Sequence, residues 1–134
     1  MKDGQPRTAF GLMGGSQQAQ GHVQVLIDMI DLGASLQAAS DAARFSHGQA
    51  NNTLSLESNL YNLVGASLSA LGHTVVSANG EDMGGFQGIS FLPYSPVSVT
   101  RGSATSLPPA TPQPLPGVYQ AASDHRKDGE AVGW

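Results

Sequence analysis

The stretch "FGLMGGSQQAQGHVQVLIDMID", residues 10–31, carries an apolar run into two adjacent glycines and out into a long amphipathic segment. Such a handover leaves few folds open, because it brings a strand and a helix into contact over a very short turn whose backbone side chains would obstruct. Physics allows two readings of the pair. The turn either packs helix tightly on sheet, or it aims main-chain N–H groups, backed by the helix dipole, at negative charge. The glycines alone favour the first reading, since they lack the longer spacings of nucleotide-binding loops.

The flanking segments set the rest of the architecture. Thr8 to Met13 reads as a strand, and the Asp3-Gly4 dipeptide before it signals a hairpin turn whose first strand is absent, the pattern expected of a piece of a longer protein. Beyond the glycines Ser16 is placed as an N-cap. Ala19, Val23, Leu26, Ile27 and Ile30 then recur at helical spacing, with Val25, Met29 and Leu32 widening the stripe. So broad a stripe predicts a helix covered on more than one side, stopped at Gly33. Ser35 caps a short helix through Leu36, Ala39 and Ala43, and Thr53 to Glu57 alternates as a half-buried strand. Leu60, Leu63, Val64, Leu68 and Leu71 mark another amphipathic helix, ended by Gly72. Thr74 to Val76 and Phe86 to Leu92 read as strands around the turn Met83-Gly84-Gly85, and Val118 to Ala121 as a last strand. This order predicts an α+β layered arrangement.

The chain reads as a single partial domain over residues 1–134. Residues 93–117 hold all but one of the eight prolines and form a proline-rich surface insert. Residues 118–134 supply the C-terminal strand and a polar tail.

Several functions are excluded by what is scarce. With a net charge of −4 and only six Lys and Arg, the largest basic cluster is the Arg126–Lys127 pair, so no nucleic-acid partner is expected. No apolar run approaches the roughly 20 residues of a membrane span, so no membrane partner is expected either. The absence of cysteine removes thiolate metal sites and a thiol nucleophile. His22, His47, His73 and His125 are scattered without a metal-binding spacing, and His22 and His73 read as structural. Neither a metal nor a cofactor is expected. Gly-x-Ser-x-Gly is absent. The densest polar cluster, residues 123–129, reads as a charged turn with Asp128-Gly129 at its tip. A charged fraction of only 12% points to buried faces and to membership of something larger. Localisation stays open, because nothing in the first residues resembles a signal peptide and a longer parent could carry one.

Taken together, "FGLMGGSQQAQGHVQVLIDMIDLG", "LQAASDAARF", "LSALGHTVV", "MGGFQGI" and "GVYQAASDHRKDGEAVGW" resemble, in order, the C-terminal part of the small subunit of the γ-glutamyltransferase (glutathione hydrolase) family. The variant "GGSQQAQGHVQVL" looks most like its acylase-like bacterial branch. The resemblance implies part of an N-terminal-nucleophile hydrolase αββα sandwich. It implies acyl transfer in which a threonine hydroxyl attacks a γ-glutamyl amide and its own α-amino group takes the proton. It also implies that Gly14 and Gly15 donate the backbone N–H groups of the oxyanion hole. The family's threonine sits in a Thr-Thr-His-type opening well upstream of the glycine pair. Thr8 does not match it, so the nucleophile is expected on another stretch of polypeptide, as are the groups that clamp the substrate. The expected partners are therefore a γ-glutamyl amide or acyl substrate in the full-length parent only, and a missing N-terminal part or large subunit. A non-catalytic module that self-associates is the alternative. Two departures from the family pattern stand out: Ala43 replaces the proline usual before the arginine of "AARF", and the proline-rich insert replaces a short link.

Overall fold

The computed structural model describes residue 1, residues 4–94 and residues 116–132. The elements run β1 (Thr8–Met13), α1 (Gln17–Ile30), α2 (Leu36–Asp41), β2 (Phe45–Gly48), β3 (Thr53–Glu57), α3 (Ser58–Ala70), β4 (Thr74–Ala78), a 3₁₀ turn (Gly80–Met83), β5 (Gly85–Pro93) and β6 (Gly117–Ser123). They form two three-stranded sheets. The first, in order β1-β5-β6, is antiparallel throughout, with Leu12 opposite Phe86 and Gly88 opposite Ala122. In the second, in order β2-β3-β4, β2 runs antiparallel to β3, and β4 lies parallel to β3. A parallel neighbour cannot be reached by a tight turn, and α3 provides the crossover.

The core lies between the first sheet and the helices α1 and α2. Period-two alternation sends Phe10 and Leu12 of β1, Phe86 of β5 and Ala122 of β6 to one side, where Val25, Leu36 and Ala39 meet them. Helix α1 approaches so closely that a Cβ on its Gly21 would lie 2.8 Å from a Leu12 methyl carbon. The other side of the sheet is bare: Met13, Ile89 and Tyr119 are 53%, 44% and 74% exposed.

The α+β expectation and the strands at 8–13 and 53–57 agree with the structure, as do the two long helices. Ser35 does cap α2, its Oγ accepting from the Ala38 amide. Other expectations are corrected. Strand β2 has no counterpart in the sequence reading, because four residues with a histidine and a terminal glycine show no usable alternation. Helix α2 stops at Asp41, and Ala42 turns extended (ψ 138°), so Ala43 leads into β2 and not round a helix. Ser16 sits in helical geometry and its side chain makes no capping bond. The wide stripe of α1 is covered on one side only, since Val23, Ile27, Ile30 and Leu32 stay exposed. The last strand reaches Ser123, beyond Ala121. Asp3 and residues 95–115 of the insert lie outside the described residues. At the insert's base the Tyr94 amide donates to the Pro116 carbonyl at 2.8 Å.

Phe86 is fully buried at the centre of the core. Phe86→Ala is expected to destabilise the fold by about 3–5 kcal/mol, read as a lowered denaturation midpoint with an unchanged slope.

Candidate functional site

Strand β1 ends at Met13, and α1 begins at Gln17 after a turn of three residues. Gly14 and Gly15 both take positive φ, 132° and 57°. The reason for glycine differs at the two positions. A Cβ on Gly14 would lie 2.9 Å from the Gly84 Cα, because the Met83-Gly84-Gly85 turn lies against the Met13-Gly14-Gly15 turn, backbone on backbone. Gly15 has open space where its Cβ would stand, so only its φ calls for glycine. The two carbonyls enter the helix start, accepting from the Gln17 and Gln18 amides at 3.1 Å each. Among the described residues, neither glycine amide is taken up by a turn, loop or side-chain acceptor. Both residues are exposed at the positive end of a 14-residue helix. His22 supports the turn from behind: its Nε2 accepts the Leu12 amide at 3.1 Å, and its ring packs edge-on to Phe10.

The cluster at 123–129 is not the solvated turn that its composition suggests. Asp124 is buried, and its carboxylate receives Arg44 Nη2 at 2.7 Å and Arg126 Nη1 at 3.0 Å. The Phe86 and Arg126 amides donate to it at 2.8 and 3.0 Å. Arg126 continues through Nε and Nη2 to both oxygens of Glu57, which also accepts the Arg44 amide at 2.6 Å. The terminal nitrogens of the two guanidinium groups also reach the carbonyls of Ser40, Ala42 and Met83, while the buried Arg44 Nε has no partner among the described residues. Two arginines and two carboxylates thus alternate, tying the end of β6 to the start of β5, the end of β3 and the segment after α2. This chain joins the two sheets.

Desolvation alone would raise both carboxyls. The hydrogen bonds and positive charges around them outweigh it, so Glu57 is held below 4.5, with Arg126 and the Arg44 amide as its main partners. Asp124 is held below 3.8, chiefly by the Phe86 and Arg126 amides and the two arginines. Burial would lower Arg126, and Glu57 and Asp124 reverse that and raise it. A cavity of about 350 Å³ borders this network, lined by Asp41, Glu57, Asn79, Glu81, His125 and Arg126 among others. His125 is mostly exposed and pairs with Asp41 at 3.2 Å. The structure therefore brings Glu57, Arg44, Asp124 and Arg126 together, and keeps Gly14 and Gly15 outside the linings of the described cavities. The sequence reading missed Arg44 and Glu57. The available signal was an arginine set among small residues, in "AARF".

Among the described residues no group of three or more His, Asp or Glu side chains is placed to hold a metal ion. No described helix is long and apolar enough to cross a membrane.

The gamma-glutamyltranspeptidase family model matches residues 1–134. The chain belongs to the gamma-glutamyltranspeptidase family. Among solved structures, the fold is similar to that of the Pseudomonas nitroreducens gamma-glutamyltranspeptidase complexed with L-DON. There the TM-score is 0.71 at 24% identity, covering 100% of this chain and 58% of that one. The Helicobacter pylori gamma-glutamyltranspeptidase gives 0.73 at 22% identity, over 95% of this chain and 57% of that chain. The cephalosporin acylase from Bacillus halodurans gives 0.74 at 28% identity, over 100% of this chain and 21% of that one. A comparison with curated protein sequences finds no match. This gamma-glutamyltranspeptidase-family chain therefore has the α+β fold of part of an N-terminal-nucleophile hydrolase, and spans less than two thirds of the gamma-glutamyltranspeptidase chains it resembles.

Removing Arg126 would strand Glu57 and half of Asp124 as buried charges. Arg126→Ala is expected to cost about 3–5 kcal/mol in denaturant unfolding. Both carboxyls are depressed, so their stabilisation is complete above the ordinary values of 4.5 and 3.8 and fades as pH falls below them. Acid titration of unfolding free energy should show a steep loss there, shallower in Glu57→Gln.

Proposed function

We propose that this chain supplies the oxyanion half of an acyl-transfer site that acts on γ-glutamyl amides or related acyl substrates, with the attacking threonine carried by a different stretch of polypeptide. The observation that carries this reading is the pair of exposed, positive-φ glycines at the start of α1 whose amides are taken up by no acceptor among the described residues. As a threonine hydroxyl adds to the amide carbonyl, charge gathers on the carbonyl oxygen. Two fixed N–H groups stabilise that charge without having to reorganise. The helix dipole adds to the same sign of potential. The close packing of Gly14 on Gly84 holds the turn rigid, which such a site requires. The ion network then keeps the second sheet in register with the first. Family membership supports the substrate class, and the cephalosporin acylase likeness is the reason to keep other acyl groups open.

A second reading is a non-catalytic module that associates with its own kind. The bare face of the first sheet and the open stripe of α1 favour it, since burying apolar area is the strongest drive to association.

Two measurements separate these readings. The purified chain alone should release no chromophore from a γ-glutamyl anilide, and turnover that Gly15→Pro abolishes would overturn the divided-site reading. In the parent protein, Gly15→Ala keeps the N–H and meets no neighbour, so activity should stay within about tenfold. Gly15→Pro removes the donor and also forces a negative φ where 57° is found, so it should cost at least about 10²–10³ in kcat, with circular dichroism checking the fold. Equal activity in the two variants would sink the oxyanion role.

A further inference from the structure

Three glutamines of this chain treat strand edges in the same way. Gln20 Oε1 accepts the His47 amide at 2.8 Å while its Nε2 donates to the His47 carbonyl at 3.1 Å. Gln24 does the same at Phe45, with both contacts at 2.9 Å. Gln37 on α2 does it at Ser123, accepting at 3.3 Å and donating at 3.1 Å. Strands β2 and β6 are each one of the two outer strands of their sheet, β4 and β1 being the others. In β2 the Arg44 carbonyl accepts the Glu57 amide. Alternation therefore turns Phe45 and His47 outward, away from β3.

The spacing explains why a helix can do this. Residues four apart on a helix rise by about 6 Å. Outward-facing residues two apart on an antiparallel strand are separated by about 6.8 Å. Gln20 and Gln24 thus match the repeat of the edge, and a primary amide presents the same donor and acceptor pair as a peptide group.

We propose that Gln20 and Gln24 act as a surrogate strand that closes the β2 edge, and that Gln37 blocks the Ser123 end of the β6 edge, against the addition of a strand from a second copy of this chain. An unpaired edge is a template for such addition. Polar side chains that consume its hydrogen bonds remove the template without adding apolar surface. The seal does not depend on whether the glycine turn is catalytic.

Site-resolved amide hydrogen exchange tests it. In the wild-type chain the Phe45, His47 and Ser123 amides should all be protected. Gln20→Ala with Gln24→Ala should speed exchange at Phe45 and His47 by about tenfold and leave Ser123 unchanged, and Gln37→Ala should do the reverse. Gln24→Glu retains the acceptor and should retain protection at Phe45. Sedimentation should show the double variant forming larger species than the wild type, in which protection at Phe45 and His47 returns as concentration rises. Unprotected wild-type amides at these positions would overturn the proposal even if a variant fails to fold. So would a double variant that matches the wild type in both exchange and association.

Discussion

The alternation of Arg44, Asp124, Arg126 and Glu57 is the constraint on which the rest of the structure depends. Each sheet has its own hydrogen bonds, and this network and α1 tie one sheet to the other. Asp124 takes the Phe86 amide, one residue into β5, so the β5 end nearest the glycine turn is fixed by the same carboxylate that fixes Arg126. A buried ion network of this kind is not by itself a source of net stability, since desolvation cancels much of the attraction. Its contribution is directional. Guanidinium groups that must satisfy two carboxylates and several carbonyls at once accept very few arrangements of the elements carrying them.

That constraint reaches the candidate site by a short path. Met13 pairs with Gly85, and Gly84 fills the space that a side chain on Gly14 would need. Two glycine turns from distant parts of the chain are thus locked together, with the Asp124 bond to Phe86 one residue away. Backbone N–H groups carry no side chain that could adjust after folding, so their placement follows the main chain alone. Here the turn is held from below by a core and from the side by ions.

Much of this was legible in the sequence, and what was not has physical causes. The α1 helix, the β3 and β5 strands and the glycine turn announced themselves through period and through residues that only one geometry accommodates. Strand β2 did not, because its four residues, with a histidine and a terminal glycine, carry no hydrophobic period. The coverage of α1 was overread: a stripe records which positions are apolar, not whether anything lies on them. Asp124 and Arg126 looked like a surface turn because charge is a reliable sign of exposure only until a partner appears, and their partners Arg44 and Glu57 lie far away in sequence.

The contrast between edges and faces says what kind of surroundings this chain suits. Its β2 edge and the Ser123 end of its β6 edge are capped by glutamines, and the Leu12 amide of β1 is taken by His22. Its broad surfaces are left bare: Met13, Ile89 and Tyr119 on the first sheet, Val23, Ile27 and Ile30 on α1. Capped edges resist a neighbour that would extend a sheet, while bare apolar faces favour one that would stack on it. A layer laid against the first sheet would bury the face opposite the helices and complete a helix–sheet–sheet order, the arrangement the αββα resemblance implies. The same layer would come down beside Met13, next to the glycine turn. The surface that most needs covering is therefore one that ends, at Met13, beside the glycine turn.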